Sequence, residues 1–533
     1  MNRCLLIIIL LFVAVNSYSE DLQVENFIPS YSPIFIIVKD ISKILSEVKS
    51  SEAWQEFIQH EKEKNVTNNR ETRFDKLKEL MGIDLWNVVS PVSERVAFVQ
   101  VDLQSIGKPT VIAKLKDPKQ IPDQILSNLG ESKSENYKGI NFYSLKNEDR
   151  YAFIDNIFIY THGKSAFESL IDVYKSEEPS ILQELKYNVL INRVSKDNEI
   201  LIYINSEILN PIIWGLTHND EMRVFGFYDT NAQLFSINLF DEKKAHEIYI
   251  LTGDSLLSSM LSNPSKFDSP HIIPASNSDL FCAINIGNPE AIWENFKENV
   301  RNVAGEESYA QLQDNISKFE SETKLNFKDD FLSLLNGEIG FAIPLPEILI
   351  PEEGSKFSFG KGLMTFYGIK DQNKCIDVVE KIFSPAHVQR TEYKGVKVQY
   401  VPFLKGPEGP VGYVCIENML VFSSLKRLQN LIDEEFPLVI SDDFAQIISN
   451  NSDPYGMIFY MDLRKFLLSA SPHLKADDKA FMQIQEIGSI GSFVFYDGQG
   501  LIIKVLGTQK KNWLETIGII MNSFSVISLG DLK

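Results

Sequence analysis

Four cysteines and seven histidines are few for a chain of 533 residues, and their scarcity excludes much chemistry. The histidines stand singly at His60, His162, His218, His246, His271, His387 and His473. None falls in a HExxH or His-x-His pattern and no Cys-x-x-Cys occurs, so no metal site has recognisable ligand spacing. There is no GxSxG, which removes the nucleophile elbow of the α/β-hydrolases. HGKSAF at His162 resembles the end of a phosphate loop, but Phe158 stands where GxxxxGK requires glycine. GSKFSFGKG, from Gly354 to Gly362, lacks the Ser or Thr that would hold magnesium. Lys164 and its counterpart Lys426 read instead as solvated first-turn residues of helices. The expectation is no catalytic, cofactor-binding or metal-binding residue and no cofactor.

Positive charge is also in deficit. Lys and Arg number 52 against 72 Asp and Glu, a formal net charge of −20. Such a surface repels nucleic-acid phosphates and anionic lipid headgroups, so nucleic acid is not an expected partner. Long apolar runs are absent except at the N-terminus, where Cys4 to Val15 reads CLLIIILLFVAV. That run falls short of the roughly 20 residues a spanning helix needs. Arg3 precedes it, and Ser17 and Ser19 occupy the −3 and −1 positions of a cleavage after Ser19. This is the grammar of a secretory signal peptide over 1–19, so the chain is expected to be exported with no transmembrane segment afterwards. Removing Cys4 with the signal leaves Cys282, Cys375 and Cys415, an odd count that allows at most one bridge within the chain.

What the sequence does have is a core and a repeat. A hydrophobic fraction of 44% argues against wholesale disorder. YKGINFYSL at Tyr137 returns as YKGVKVQYV at Tyr393. Around it, PSYSPIFIIV (Pro29) is answered by PASNSDLFCAINI (Pro274), RVAFVQV (Arg95) by EIGFAIP (Glu338), and IAKLKDPKQI (Ile112) by FYGIKDQNKCI (Phe366). YAFIDNIFIY (Tyr151) is answered by YVCIENMLVF (Tyr413), LIYINSEIL (Leu201) by IFYMDLRKFL (Ile458), and FYDTNAQLFSINL (Phe227) by FYDGQGLIIKVL (Phe495). The order is kept throughout and the separation drifts only between roughly 245 and 270 residues. Collinearity of this kind marks a tandem duplication, with a first repeat over 20–265 and a second over 266–533. The second carries an inserted Pro- and Gly-rich loop near 345–362 and a C-terminal helix from Ile517.

Within each repeat, period-2 strands such as RVAFVQV interleave with helical periods such as ISKILSEVKSSEAWQEFIQ, and YAFI-DN-IFIY is a hairpin signal. The fold class that follows is α+β, mostly antiparallel sheet with several β-hairpins. Gly139 and Gly395 of the two YKG phrases are expected at turns where a side chain would clash. The phrase therefore reads as scaffold, since chemistry usually occurs once. Three carboxylate pairs recur, Asp155 with Glu417, Asp172 with Asp433, and Asp229 with Asp497, and read as solvated turn formers. Tyr203 and Tyr460 sit at equivalent strand positions and read as core tyrosines, with Asn205 and Asp462 two residues on. The cysteines align with Ile36, Ile121 and Phe153 of the first repeat and read as small core hydrophobes.

The leader, the strand after IPSYSPIFIIVKD, the MGIDLWNVV and KLNFKDDFLSLLNGEIGFAI elements, and the YKG strand with its hairpin and helix together resemble an exported bacterial family, Domain of Unknown Function 3352. The resemblance implies no activity and no site residues. It implies an envelope setting, periplasmic or extracellular. The reading of the whole is an exported, non-enzymatic binding or envelope-assembly module whose partner is an unidentified protein or an apolar ligand. A carrier of a lipid or other apolar molecule is the alternative, and a hydrolase with a dispersed active site comes third.

Overall fold

The computed structural model describes residues 22–59, 93–103, 109–116, 132–145, 148–194, 198–217, 224, 230–241, 244–253, 255–262, 266–345, 362–383, 387–406, 408–433, 436–474 and 482–525. The signal peptide over 1–19, with Ser17 and Ser19, lies outside these residues. So do Ile121, Asp229 and nearly all of the 345–362 loop. Two compact units are present. One is drawn from 1–46, 70–192 and 199–205, the other from 47–69, 193–198 and 206–533.

In the first unit, eight strands form one antiparallel sheet: β1 Ile34–Lys39, β2 Ser93–Gln100, β3 Thr110–Leu115, β4 Ser132–Tyr137, β5 Ile140–Leu145, β6 Asp149–Ile154, β7 Ile157–His162 and β8 Ile200–Ile204. Their spatial order is β8-β1-β2-β3-β7-β6-β5-β4. Strand β1 lies between two neighbours, which is why IFIIV reads as an apolar run, and β3 is buried along its whole length, Lys114 included. Val38, Val96, Phe98, Val111, Tyr151 and Phe158 form one core on this sheet. The helix Lys164–Tyr174 buries Ala166, Phe167, Leu170, Ile171 and Val173, a helical stripe whose Phe167 ring sits 4.7 Å from that of Phe142.

The second unit holds twelve strands: β9 Thr230–Ile237, β10 Lys244–Thr252, β11 Leu280–Asn285, β12 Leu335–Ile343, β13 Met364–Ile369, β14 Gln389–Tyr393, β15 Val396–Gly406, β16 Gly409–Ile416, β17 Met419–Ser424, β18 Met457–Met461, β19 Ile490–Tyr496 and β20 Gly500–Gly507. The order β18-β11-β12-β13-β17-β16-β15-β14 reproduces that of the first unit strand for strand. Beyond β18 come β19, β20, β10 and β9. Strands β9 and β10, which the sequence reading assigns to the first repeat, thus extend the second unit's sheet through the β10–β20 ladder.

Helices cover both faces of this sheet, as the alternation along β16 records. Val414 points into a core with Phe281, Phe366, Leu428 and Phe444. Its neighbours Tyr413 and Cys415 point into another with Leu325, Cys375, Val378 and Leu420. The C-terminal helix Trp513–Ser525 packs Trp513, Leu514 and Ile519 inward, and the Trp54 indole N–H donates to the Leu514 carbonyl at 2.8 Å. Among the described residues, no helix is long and apolar enough to cross a membrane. The class is α+β with an antiparallel sheet and hairpins, as the alternating periods predict.

Candidate functional site

Each YKG phrase builds the same corner. Tyr137 ends β4, Lys138 and Gly139 make the turn with φ of 48° and 82°, and Ile140 opens β5. Lys394 and Gly395 repeat those values between β14 and β15. Positive φ at both central residues is the tight hairpin turn that matches strand twist, and glycine reaches it without a Cβ penalty. The turn is where the sequence places it, but the expected clash is corrected: a Cβ at Gly139 or Gly395 meets nothing within 4 Å, and the positive φ is what glycine relieves. The turn holds the lysine side chain out toward the last turn of the following helix. There the Lys138 ammonium lies 2.6 Å from Asp172 Oδ1, and the Tyr137 hydroxyl donates to Oδ2 at 3.3 Å. In the second unit Lys394 Nζ lies 2.7 Å from Asp433 Oδ1, and Tyr393 donates to Oδ2 at 2.7 Å.

The electrostatics follow the geometry. Hydrogen bonds from Lys394 and then Tyr393 hold the Asp433 carboxyl below its ordinary range. The Asp172 and Glu177 carboxylates raise the pKa of Lys138. The sequence reading of Asp172 and Asp433 as plain solvated turn formers is corrected here: each receives a Tyr–Lys pair from the hairpin of its own unit. Spacing could not reveal this, because about 35 to 40 residues separate the partners.

Directly after the clamped helix the chain is stitched to the segment preceding the first strand. Ser30 N donates to Pro179 O at 3.0 Å, and Ile181 N to Ile28 O at 2.8 Å. The second unit repeats both bonds, Ala275 N to Phe436 O at 3.0 Å and Leu438 N to Ile273 O at 2.9 Å. A single 3-10 turn follows in each, burying Ile181 or Leu438. Other large apolar side chains in and around each turn face water. Leu185 is 74% exposed beside exposed Leu182 and Tyr31, and Phe436 and Ile440 are 64% and 53% exposed. Acidic residues outnumber basic ones in both segments, with Glu177, Glu178 and Glu184 in one and Asp433, Asp442 and Asp443 in the other, although Glu177, Asp433 and Asp443 are paired with Lys138, Lys394 and Arg464.

The remaining polar constellations differ between the units. Lys465 Nζ reaches buried Asp279 at 2.6 Å, and Asp279 also accepts from Leu345 N at 3.2 Å. Burial raises the Asp279 pKa, against the opposing pull of Lys465. Asp462 caps the helix Leu463–Leu474 through Lys465 N at 2.9 Å. The Tyr460 hydroxyl meets Ser489 Oγ at 3.1 Å, and Ser489 donates to Asp443 at 2.9 Å. Tyr460 and Tyr203 are buried in the core as read, Tyr203 stacked 5.0 Å from Phe35. Buried Arg427 pairs with Glu408 at 3.0 Å and donates to Asn277 at 2.9 Å. In the first unit, Asp149 takes both the His162 imidazole and the Tyr160 hydroxyl, and Glu25 pairs with Arg95. The position equivalent to Arg95 is Glu338, which accepts from Asp268 N at 2.9 Å and Ser269 N at 3.0 Å. Opposite charges at one site thus anchor the segment before the first strand in each unit. These groups are spent on caps and anchors. Among the described residues, no cluster of His, Cys, Asp and Glu has the arrangement to hold a metal ion.

Cys282 is half-buried on β11, and burial pushes its thiol up to about 11. Cys375 and Cys415 are buried together, Sγ to Sγ at 3.7 Å. Asp155 and Glu417 stand at hairpin turns with φ of 53° and 50°. Asp497 Oδ1 accepts from Gln499 N and Gly500 N, each at 3.0 Å, at the β19–β20 turn.

Residues 110–366 match the family model described as "Protein of unknown function (DUF3352)", so the family resemblance holds across that span. No curated protein matches the chain. Two solved structures are similar to it in part. "Structure of crystal form I of TP0453" is 9% identical over 45% of this chain and 82% of that one, with a TM-score of 0.28. "Structure of crystal form IV of TP0453" is 10% identical over 44% and 83%, with the same TM-score.

Proposed function

We propose that the protein is an exported, non-enzymatic module built from a duplicated α+β unit, which binds an envelope protein through the two equivalent corners. The observation that carries this reading is the recurrence, at one place in each unit, of solvent-facing apolar side chains on a segment held by a Tyr–Lys–Asp clamp. Scattered exposed apolar residues are ordinary on any surface. Groups of them in the same segment of each unit, though at different positions within it, on a backbone pinned from two sides, are not accounted for by folding alone. The acidic excess selects among occupants: a protein with an apolar centre and a basic margin is complementary, whereas a nucleic acid or an anionic bilayer is repelled. Buried carboxylates committed to caps and anchors fit a binding role better than hydrolysis. Export is supported by the leader grammar of residues 1–19.

The test is native mass spectrometry of the protein recovered gently from its own envelope fraction, beside the variants Leu185→Asp and Phe436→Asp. A protein-sized adduct that both substitutions weaken, with an unchanged unfolding midpoint, is the expected result. An adduct of lipid mass would replace this reading with the carrier, and a bare monomer would overturn both. Absence of the protein from the envelope fraction would overturn export.

A further inference from the structure

We propose that Cys375 and Cys415 form a disulfide when the chain folds in an oxidising compartment, making them a modification site confined to the second unit; this rests on the export reading above. The two sulfurs lie 3.7 Å apart with nothing between them. Cys375 is in the first turn of the helix Gln372–Phe383, and Cys415 is on β16 beneath it. A hydrogen bond beside them holds the two elements together: the Gln372 side-chain Nε2 donates to the carbonyl of Cys415 itself at 2.6 Å, tying that helical turn to the strand. Tyr413, Val378, Val379 and Leu420 enclose both side chains in one core cluster. Bond formation brings the two sulfurs from this contact to about 2.05 Å.

The chemistry is thiol–disulfide exchange. One cysteine thiolate attacks a disulfide carried by a small-molecule or protein oxidant, and a mixed disulfide forms. The second thiolate displaces the oxidant's remaining sulfur. The chain loses two protons and two electrons, and the oxidant leaves as two thiols. The timing follows from burial. In the folded chain the Cys415 thiol and the apolar surroundings hold the pKa of Cys375 far above the ordinary thiol value. The folded dithiol is therefore inert, and the bridge forms before the core closes. Once formed, it closes a covalent loop around the edge strand β14 and its neighbour β15, which lie between the two cysteines in the chain, and ties the helix Gln372–Phe383 to β16. The first unit has no counterpart, since Phe153 stands where the second has Cys415.

The experiment counts thiols. Protein from the envelope fraction is acid-quenched, denatured, alkylated with iodoacetamide and mapped by mass spectrometry without reduction. The expected map has a Cys375–Cys415 cross-linked peptide and carbamidomethyl on Cys282 alone. In parallel, protein made in a reducing cytoplasm without its leader is unfolded and refolded in reduced and oxidised glutathione, where the same bridge is expected. Bridging on refolding with three free thiols in envelope protein would overturn the compartment and leave the pairing standing. Failure in both, or a bridge to Cys282, would overturn the pairing. The Cys282→Ser variant should bridge as wild type does, which excludes scrambling.

Discussion

Lys138 Nζ and Asp172 Oδ1 are 2.6 Å apart, and Lys394 and Asp433 in the second unit repeat the relationship at 2.7 Å. The lysine comes from a two-residue turn and the aspartate from the end of the next helix. A tyrosine one residue before the lysine hydrogen-bonds the same carboxylate in both. The repeated phrase is thereby explained by what its side chains hold.

The clamp makes a pH prediction. Because Lys394 and Tyr393 hold the Asp433 carboxyl low, its contribution to stability is present above the ordinary carboxylate pKa. It is lost as pH falls through the folded value. Asp433→Asn should therefore reduce stability at neutral pH and flatten the acid limb of the unfolding curve below about pH 4. Urea midpoints from pH 2 to 7 measure this, and parallel limbs for the two proteins would refute it.

Lys465→Met should cost about 1–3 kcal/mol at neutral pH, because among the described residues it leaves the buried Asp279 carboxylate with the Leu345 N–H as its remaining donor. Asp279 already has a raised pKa, so the folded state takes up a proton at a higher pH than the unfolded chain does. Stability attributable to it therefore rises as pH falls through that window, and the variant should steepen the rise. An unchanged midpoint at pH 7 would place the ion pair outside the stabilising interactions.

Arg427→Met removes the partner of Glu408 at a site where the two side chains are only 7% and 10% exposed. The stranded carboxylate should lower stability by about 3–5 kcal/mol. The double variant with Glu408→Gln should recover part of that loss, since no uncompensated charge remains. Equilibrium denaturation of the single and double variants decides the point.

Gly139→Ala and Gly395→Ala should each cost about 1 kcal/mol, for positive φ alone, as a Cβ there meets nothing within 4 Å. Gly340→Ala should cost more, about 2–3 kcal/mol, because its Cβ would lie 2.3 Å from the Cys282 carbonyl and 2.5 Å from the Phe366 ring. Thermal unfolding of the three variants ranks them, and equal shifts would contradict the distinction between strain and overlap.

The sequence by itself determined the class and the local devices. Period-2 runs became strands, YKG and YAFIDNIFIY became hairpins, and the cores took up their apolar residues, because backbone propensity and side-chain alternation act over a few residues. It could not name the partners of Asp172, Asp433, Asp279 or Arg427, which are brought together only when strands and helices distant in the chain pack. Nor could it show that Cys375 and Cys415, read singly as core hydrophobes, share one pocket. The place of β9 and β10 was likewise decided by tertiary structure. An exposed strand edge must be paired or covered, and β20 offered one to which the register Ile248↔Ile503 and Ile250↔Leu501 fitted apolar side chains opposite apolar side chains.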